Sequence, residues 1–166
     1  MAPEPTRIMR KSDIAMEAHQ SGQTMSSETP SARQLARRLV ERAVHPGGAS
    51  KDTALVLQVA CDRTYHELTR SLGPTGSRTL LARAIAQAQG AHPILNEIRV
   101  GLEPEAGLGG LPGIVEAHGS ATVTAAIEAM LEKLFGLLGR LIGDDMVERL
   151  VERSSPNGTR NAEEVR

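Results

Sequence analysis

Residues 120–143 read SATVTAAIEAMLEKLFGLLGRLIG, and the fold turns on them. Val123, Ile127, Met130, Leu134, Leu137 and Leu141 step alternately by four and three, which sets their side chains on one face of an α-helix. Ala126, Leu131, Phe135, Leu138 and Ile142 widen that stripe well past a narrow seam. A helix apolar over so broad an arc has to be touched on more than one side. The pattern therefore predicts a central helix surrounded by others, with Ser120 as its N-cap and Gly143 as its terminator.

Towards the C-terminus, Asp144 suits the cap of a last helix whose Met146, Val147, Leu150 and Val151 face the core. The pair Asp144-Asp145 reads as negative charge set against a helix N-terminus rather than as two catalytic carboxylates. Towards the N-terminus, the glycine-rich run 107–113 reads as a flexible connector into a short helix at 111–118, stopped by Gly119. Ile98, Val100 and Leu102 alternate with Arg99 and Gly101, a period of two that fits one short strand near 98–102 or a plain loop. Leu81, Ala84, Ile85 and Ala88 mark a helix over 77–91, started by Ser77 or Thr75 and closed by Pro93.

Ala54, Leu57, Cys61, Tyr65, Leu68 and Leu72 mark a helix from Ser50 that stops at Gly73-Pro74. Leu35, Leu39 and Ala43 mark the first helix, 30–44, capped by Thr29 and ended by His45-Pro46-Gly47-Gly48. The expected fold class is all-α: a helical bundle of about four main helices plus two short ones, spanning 30–153. Residues 1–29 and 154–166 carry no apolar periodicity and read as disordered N-terminal and C-terminal tails.

Composition agrees with that architecture and narrows the function. Of 166 residues, 40% are hydrophobic and 23% charged, yet aromatic side chains are confined to Tyr65 and Phe135, with no Trp. A core of Leu, Ile, Val, Ala and Met favours helices over a β-sandwich. A formal net charge of -1 argues against coating nucleic acid or a lipid surface through bulk charge. The most apolar run, Leu134 to Gly143, is interrupted by Arg140 and is too short for a hydrocarbon layer of about 30 Å, so no membrane segment is expected. The N-terminus lacks the apolar core of a secretory signal, and the lone Cys61 can form neither an intrachain disulfide nor a thiolate metal site. The expected compartment is a reducing cytoplasm.

The common catalytic signatures are missing. The run 107–113 has no Gly-Lys-Ser/Thr after a buried strand, so it is not a phosphate cradle. His19, His45, His66, His92 and His118 are widely separated with no His-x-x-x-His, so neither a metal nor another cofactor is expected. Cys61 lies on an apolar stripe, which predicts a buried, inert thiol, and no Gly-x-Ser-x-Gly elbow occurs. The expectation is a non-enzymatic interaction or regulatory module.

Its best surface feature is charge. Residues 31–100 hold ten Lys or Arg against five Asp or Glu, whereas 101–153 hold four against nine. Arg33, Arg37, Arg38 and Arg42 crowd the first helix against Glu41 alone. They form a candidate interaction face for an acidic protein partner, or for a second copy pairing basic with acidic half in a homo-oligomer. The plainer reading is that the basic N-terminal helices pack beside the acidic C-terminal ones within a single chain.

One short stretch adds an alternative. Tyr65-His66-Glu67-Leu68-Thr69-Arg70-Ser71-Leu72 resembles the H-box of sensor histidine kinases, although the proline that usually follows that motif is absent. The resemblance implies a helical signalling bundle of phosphotransfer or dimerisation type with His66 as phosphoacceptor. The core stripe leaves His66 beside the buried face, with Asp62 and Glu67 near enough in sequence to orient the ring. Tyr65 and Leu68 would then give an apolar rim for a docking partner, while Arg63 and Arg70 offset the charge of the transferring group.

Overall fold

Ser31 starts the first helix. Its hydroxyl accepts the Gln34 N–H at 3.4 Å and its own N–H donates to the Gln34 side chain at 2.9 Å, a reciprocal capping box. The expected cap, Thr29, lies outside the residues described by the computed structural model, which are 30–44, 50–101 and 107–154. The stretches 1–29 and 155–166, read from sequence as tails, are outside them too. Helix α1 (Ala32–Ala43) buries Leu35, Ala36, Leu39, Val40 and Ala43.

Helix α2 (Ser50–Ala88) consists of two arms broken at Gly73, where φ is 77° and ψ is 166°, a conformation that side-chain-bearing residues avoid. Pro74 follows at the first helical position of the second arm, where its missing N–H has no partner to lose. The expected stop is real, but the helix restarts at once rather than at Thr75 or Ser77. Ser77 is buried inside the second arm and its hydroxyl donates to the Gly73 carbonyl at 2.7 Å, so it ties the break together instead of capping. Ala54, Leu57, Cys61, Tyr65 and Leu68 on the first arm and Leu81, Ala84 and Ala88 on the second face the core.

A 3-10 turn (Pro93–Glu97) leads to β1 (Arg99–Val100), which pairs antiparallel with β2 (Leu108–Gly109), Arg99 opposite Gly109 and Val100 opposite Leu108. Of the period-two stretch, Arg99 and Val100 are the strand residues among those described, Leu102 lying outside them, and their partner lies in the glycine-rich run that the sequence presented as a connector. The pairing does not itself demand a glycine at position 109, since a Cβ there would sit 3.7 Å from the Arg99 carbonyl oxygen, ordinary contact. Helix α3 (Leu111–His118) follows, then α4 (Ser120–Ile142) and α5 (Asp144–Ser154). Ser120 is the first residue of α4 rather than its cap, and Ser154, counted with the tail from sequence, closes α5 as a buried residue whose hydroxyl donates to the Leu150 carbonyl at 2.9 Å.

Helix α4 is central, packing against α1, α2, α3 and α5. Val123, Ala126, Ile127, Met130, Leu131, Leu134, Phe135 and Leu138 are buried along it. The breadth of its apolar arc is what allows four neighbours. Two expected core residues are corrected: Leu141 is 63% exposed and Met146 45% exposed. They flank the break at Gly143 (φ 87°), Leu141 in the last turn of α4 and Met146 in the first turn of α5. Among the described residues no helix is long and apolar enough to cross a membrane.

Candidate functional site

The arginines of α1 do not form one free basic face. Arg37 Nε donates to Glu41 Oε1 at 2.7 Å, and this bond, with the charges of Glu41 and Glu128, raises the Arg37 pKa. Arg38 Nη1 lies 4.0 Å from Glu148 Oε1, joining α1 to α5. Arg42 also has a partner. Basic α1 is thus partly matched by Glu41 of its own helix, by Glu128 of α4 and by Glu148 of the acidic α5. Such exposed pairs contribute little stability singly, because water and salt screen them, but they reduce the charge left for an outside partner.

Arg33 is different. It points to a groove of about 350 Å³ between the start of α1, the end of α2 and the second half of α4, lined among others by Gln87, Glu132, Lys133, Gly136 and Arg140. Lys133 and Arg140 are the two cations of α4, and their spacing of seven sets them on one face with Gly136 and Leu137 between them. Gly136 has no side chain to fill that gap, and a Cβ there would meet the Ala32 methyl across the helix contact at 4.0 Å. Among the described residues no carboxylate lies within ion-pair distance of Arg33, Lys133 or Arg140. The groove escapes a sequence reading because only the tertiary packing of α1 on α4 brings Arg33 to the other two. The seven-residue spacing of Lys133 and Arg140 about a glycine is its single legible trace.

His66 is exposed on the first arm of α2, and its ring meets the Tyr65 ring edge-on, with centroids 6.5 Å apart. The two carboxylates expected to orient it are engaged elsewhere. Glu67 accepts from Arg70 at 3.0 Å and lies 3.5 Å from Arg153 of α5. Asp62 accepts the Leu108 N–H at 3.2 Å and the Gln58 amide at 2.9 Å, while Gln58 also donates to the Leu108 carbonyl. Nor do Tyr65 and Leu68 form a rim, since each is 1% exposed. Exposed apolar surface near His66 comes instead from Leu55 and Val59, a turn apart on the same arm, offset from the core stripe through Ala54 and Leu57.

The Asp62 and Gln58 bonds clasp the β-hairpin to α2. Gly107 is required there, because a Cβ on it would collide with the Asp62 carboxylate. Cys61, one residue before, is fully buried, and burial, aided by the Asp62 charge, pushes its thiol pKa up to about 12. An uncharged thiol in such a place is a packing group, not a nucleophile. The Tyr65 hydroxyl, buried nearby, has no hydrogen-bond partner among the described residues. His118 and Glu97 pair at 2.9 Å, fixing α3 to the 3-10 turn. His19 and His45 lie outside the described residues, and among those described no three of His, Cys, Asp and Glu gather as metal ligands.

Compared with protein-family models, with curated proteins and with solved structures, the chain matches none.

Proposed function

We propose that this chain is a docking module that works by non-covalent contact with an acidic protein partner and catalyses no reaction. The observation carrying the reading is the groove in which Arg33, Lys133 and Arg140, from two helices distant in sequence, border one hollow with no carboxylate paired to them among the described residues. An outside partner is favoured over a second copy because Arg37 and Arg38 already meet Glu41 and Glu148 within the chain. A fluorescent peptide rich in glutamate tests the reading by anisotropy. Binding should saturate, weaken steeply between about 0.1 M and 1 M salt as the Debye length falls from about 10 to about 3 Å, and vanish in the Lys133→Glu/Arg140→Glu variant. Binding indifferent to both changes would discard it.

The second reading keeps His66 as a phosphoacceptor, favoured by its exposure on the helix face that also carries the exposed apolar Leu55 and Val59, two to three turns before it, a surface that a receiver domain would cover. In that chemistry an unprotonated ring nitrogen attacks phosphorus, the N–P bond forms, and the donor's aspartate carboxylate leaves. Exposure to phosphodonors followed by detection of acid-labile, base-stable phosphate, absent from His66→Gln, is the test. An unlabelled wild type across a panel of donors removes this reading.

A further inference from the structure

The groove's charge and shape narrow what it takes. Among the described residues its lining holds three cations, Arg33, Lys133 and Arg140, against one carboxylate, Glu132, an excess of two positive charges. Lys133 and Arg140 are separated by about 10.5 Å along the α4 axis at 1.5 Å per residue, and Arg33 comes from α1. Between them the floor is the bare backbone of Gly136 and the Ala32 methyl. A carboxylate has two oxygens in one plane and a single charge, so it answers fewer of the three cations at once and leaves more of the positive excess unmatched. A phosphomonoester carries about -1.5 to -2 charges near neutral pH and three acceptor oxygens diverging in three directions, the complement of three separated cations.

The source of the phosphate also follows from the site. Ser31, Arg33, Gln87, Lys133 and Arg140 are all exposed, so the groove cannot enclose a small metabolite, which ordinarily has most of its surface buried in its pocket. A group bound so openly needs a larger body to supply the remaining contact. We propose that the groove of Arg33, Lys133 and Arg140 seats a phosphorylated side chain of a partner protein, so that phosphorylation of the partner switches docking on. The inference rests on the docking reading above and names its regulation.

The test uses the full chain and three otherwise neutral peptides of one sequence, bearing phosphoserine, glutamate or serine at the centre, with inorganic phosphate and glycerol 3-phosphate as small-molecule arms. Titrations followed by amide chemical shifts should place the phosphoserine peptide at Ser31, Arg33, Gln87 and Gly136. It should bind about tenfold or more tighter than the glutamate peptide, as a second charge and a third acceptor oxygen require. Among the described residues no histidine lines the groove, so tightening from about pH 5 to about pH 7.5, as the phosphate loses its second proton near pH 6, reports the ligand. The advantage should disappear in Lys133→Gln/Arg140→Gln while the unfolding midpoint stays put.

Equal affinity for the phosphoserine and glutamate peptides, with the glutamate-rich peptide still bound in the groove, overturns the phosphate inference and leaves docking standing. Tighter binding of glycerol 3-phosphate than of the phosphopeptide overturns the protein source. Failure of every anionic probe to shift groove amides overturns both readings.

Discussion

The buried Cys61 thiol gives a pH signature at a single residue. In the folded chain it keeps its proton until about pH 12, whereas a thiol of ordinary exposure releases it near 9.0. The folded state therefore binds that proton more tightly, its contribution to stability is complete below about pH 9, and it is lost as pH climbs towards 12. Urea denaturation at a series of alkaline pH values should show wild type losing stability more steeply than Cys61→Ala above pH 9. Parallel curves for the two proteins would mean that the thiol is not desolvated. The sequence already gave the reason for burial, since Cys61 falls on the stripe through Leu57, Tyr65 and Leu68. His66 was legible as exposed by the same logic, but the partners of Asp62 were not: Leu108 lies 46 residues away, and no local pattern encodes that contact.

Among the elements, the β-hairpin depends most on a few bonds. It has two residues per strand and is fastened to α2 through Asp62 and Gln58. Gly107→Ala forces the Asp62 carboxylate aside, breaks its bond to the Leu108 N–H, and should cost about 1–3 kcal/mol. Native-state hydrogen exchange should then show the Leu108 amide losing protection while Met130 and Leu134 keep theirs. Exchange unchanged at Leu108 would show that the clasp does not hold the hairpin.

Helix α4 supplies a paired contrast. Met130→Asp puts a carboxylate at a fully buried position and should destabilise by about 3 kcal/mol or more, whereas Leu141→Asp, on a residue 63% exposed, should stay within about 0.5 kcal/mol. Chemical denaturation of both variants checks this, and equal losses would restore Leu141 to the core. Helix α4 was the most legible element because its repeat runs through six turns without interruption. Its ends were less so, since the stripe continues in sequence past the point where the neighbouring helices stop covering it. The hairpin was half visible, because strands this short leave two or three alternating residues and the glycines that allow pairing also suggest a linker.

For the molecule as a whole, the consequence of a single packed core is resistance to cutting within its helices. Arg63 and Arg83 lie mid-arm on α2, so trypsin has to wait for α2 to leave α4 before it can reach either bond. Limited proteolysis should leave the 50–88 segment intact at protease levels that cleave the unfolded chain, and early fragments ending at Arg63 or Arg83 would contradict a core shared by α2 and α4. That same core carries one further property. The chain has one tyrosine and no tryptophan, and Tyr65 sits fully buried, its hydroxyl without a partner among the described residues, where α2 meets α4 and the hairpin. The protein therefore comes with a single intrinsic fluorophore placed at its centre. Emission under tyrosine excitation reads one site, so its intensity and lifetime follow the loosening of α2 from α4 without any introduced label. The basic groove draws on other residues of the same turns of α4, so a ligand seated there should leave that signal unchanged unless it moves the core.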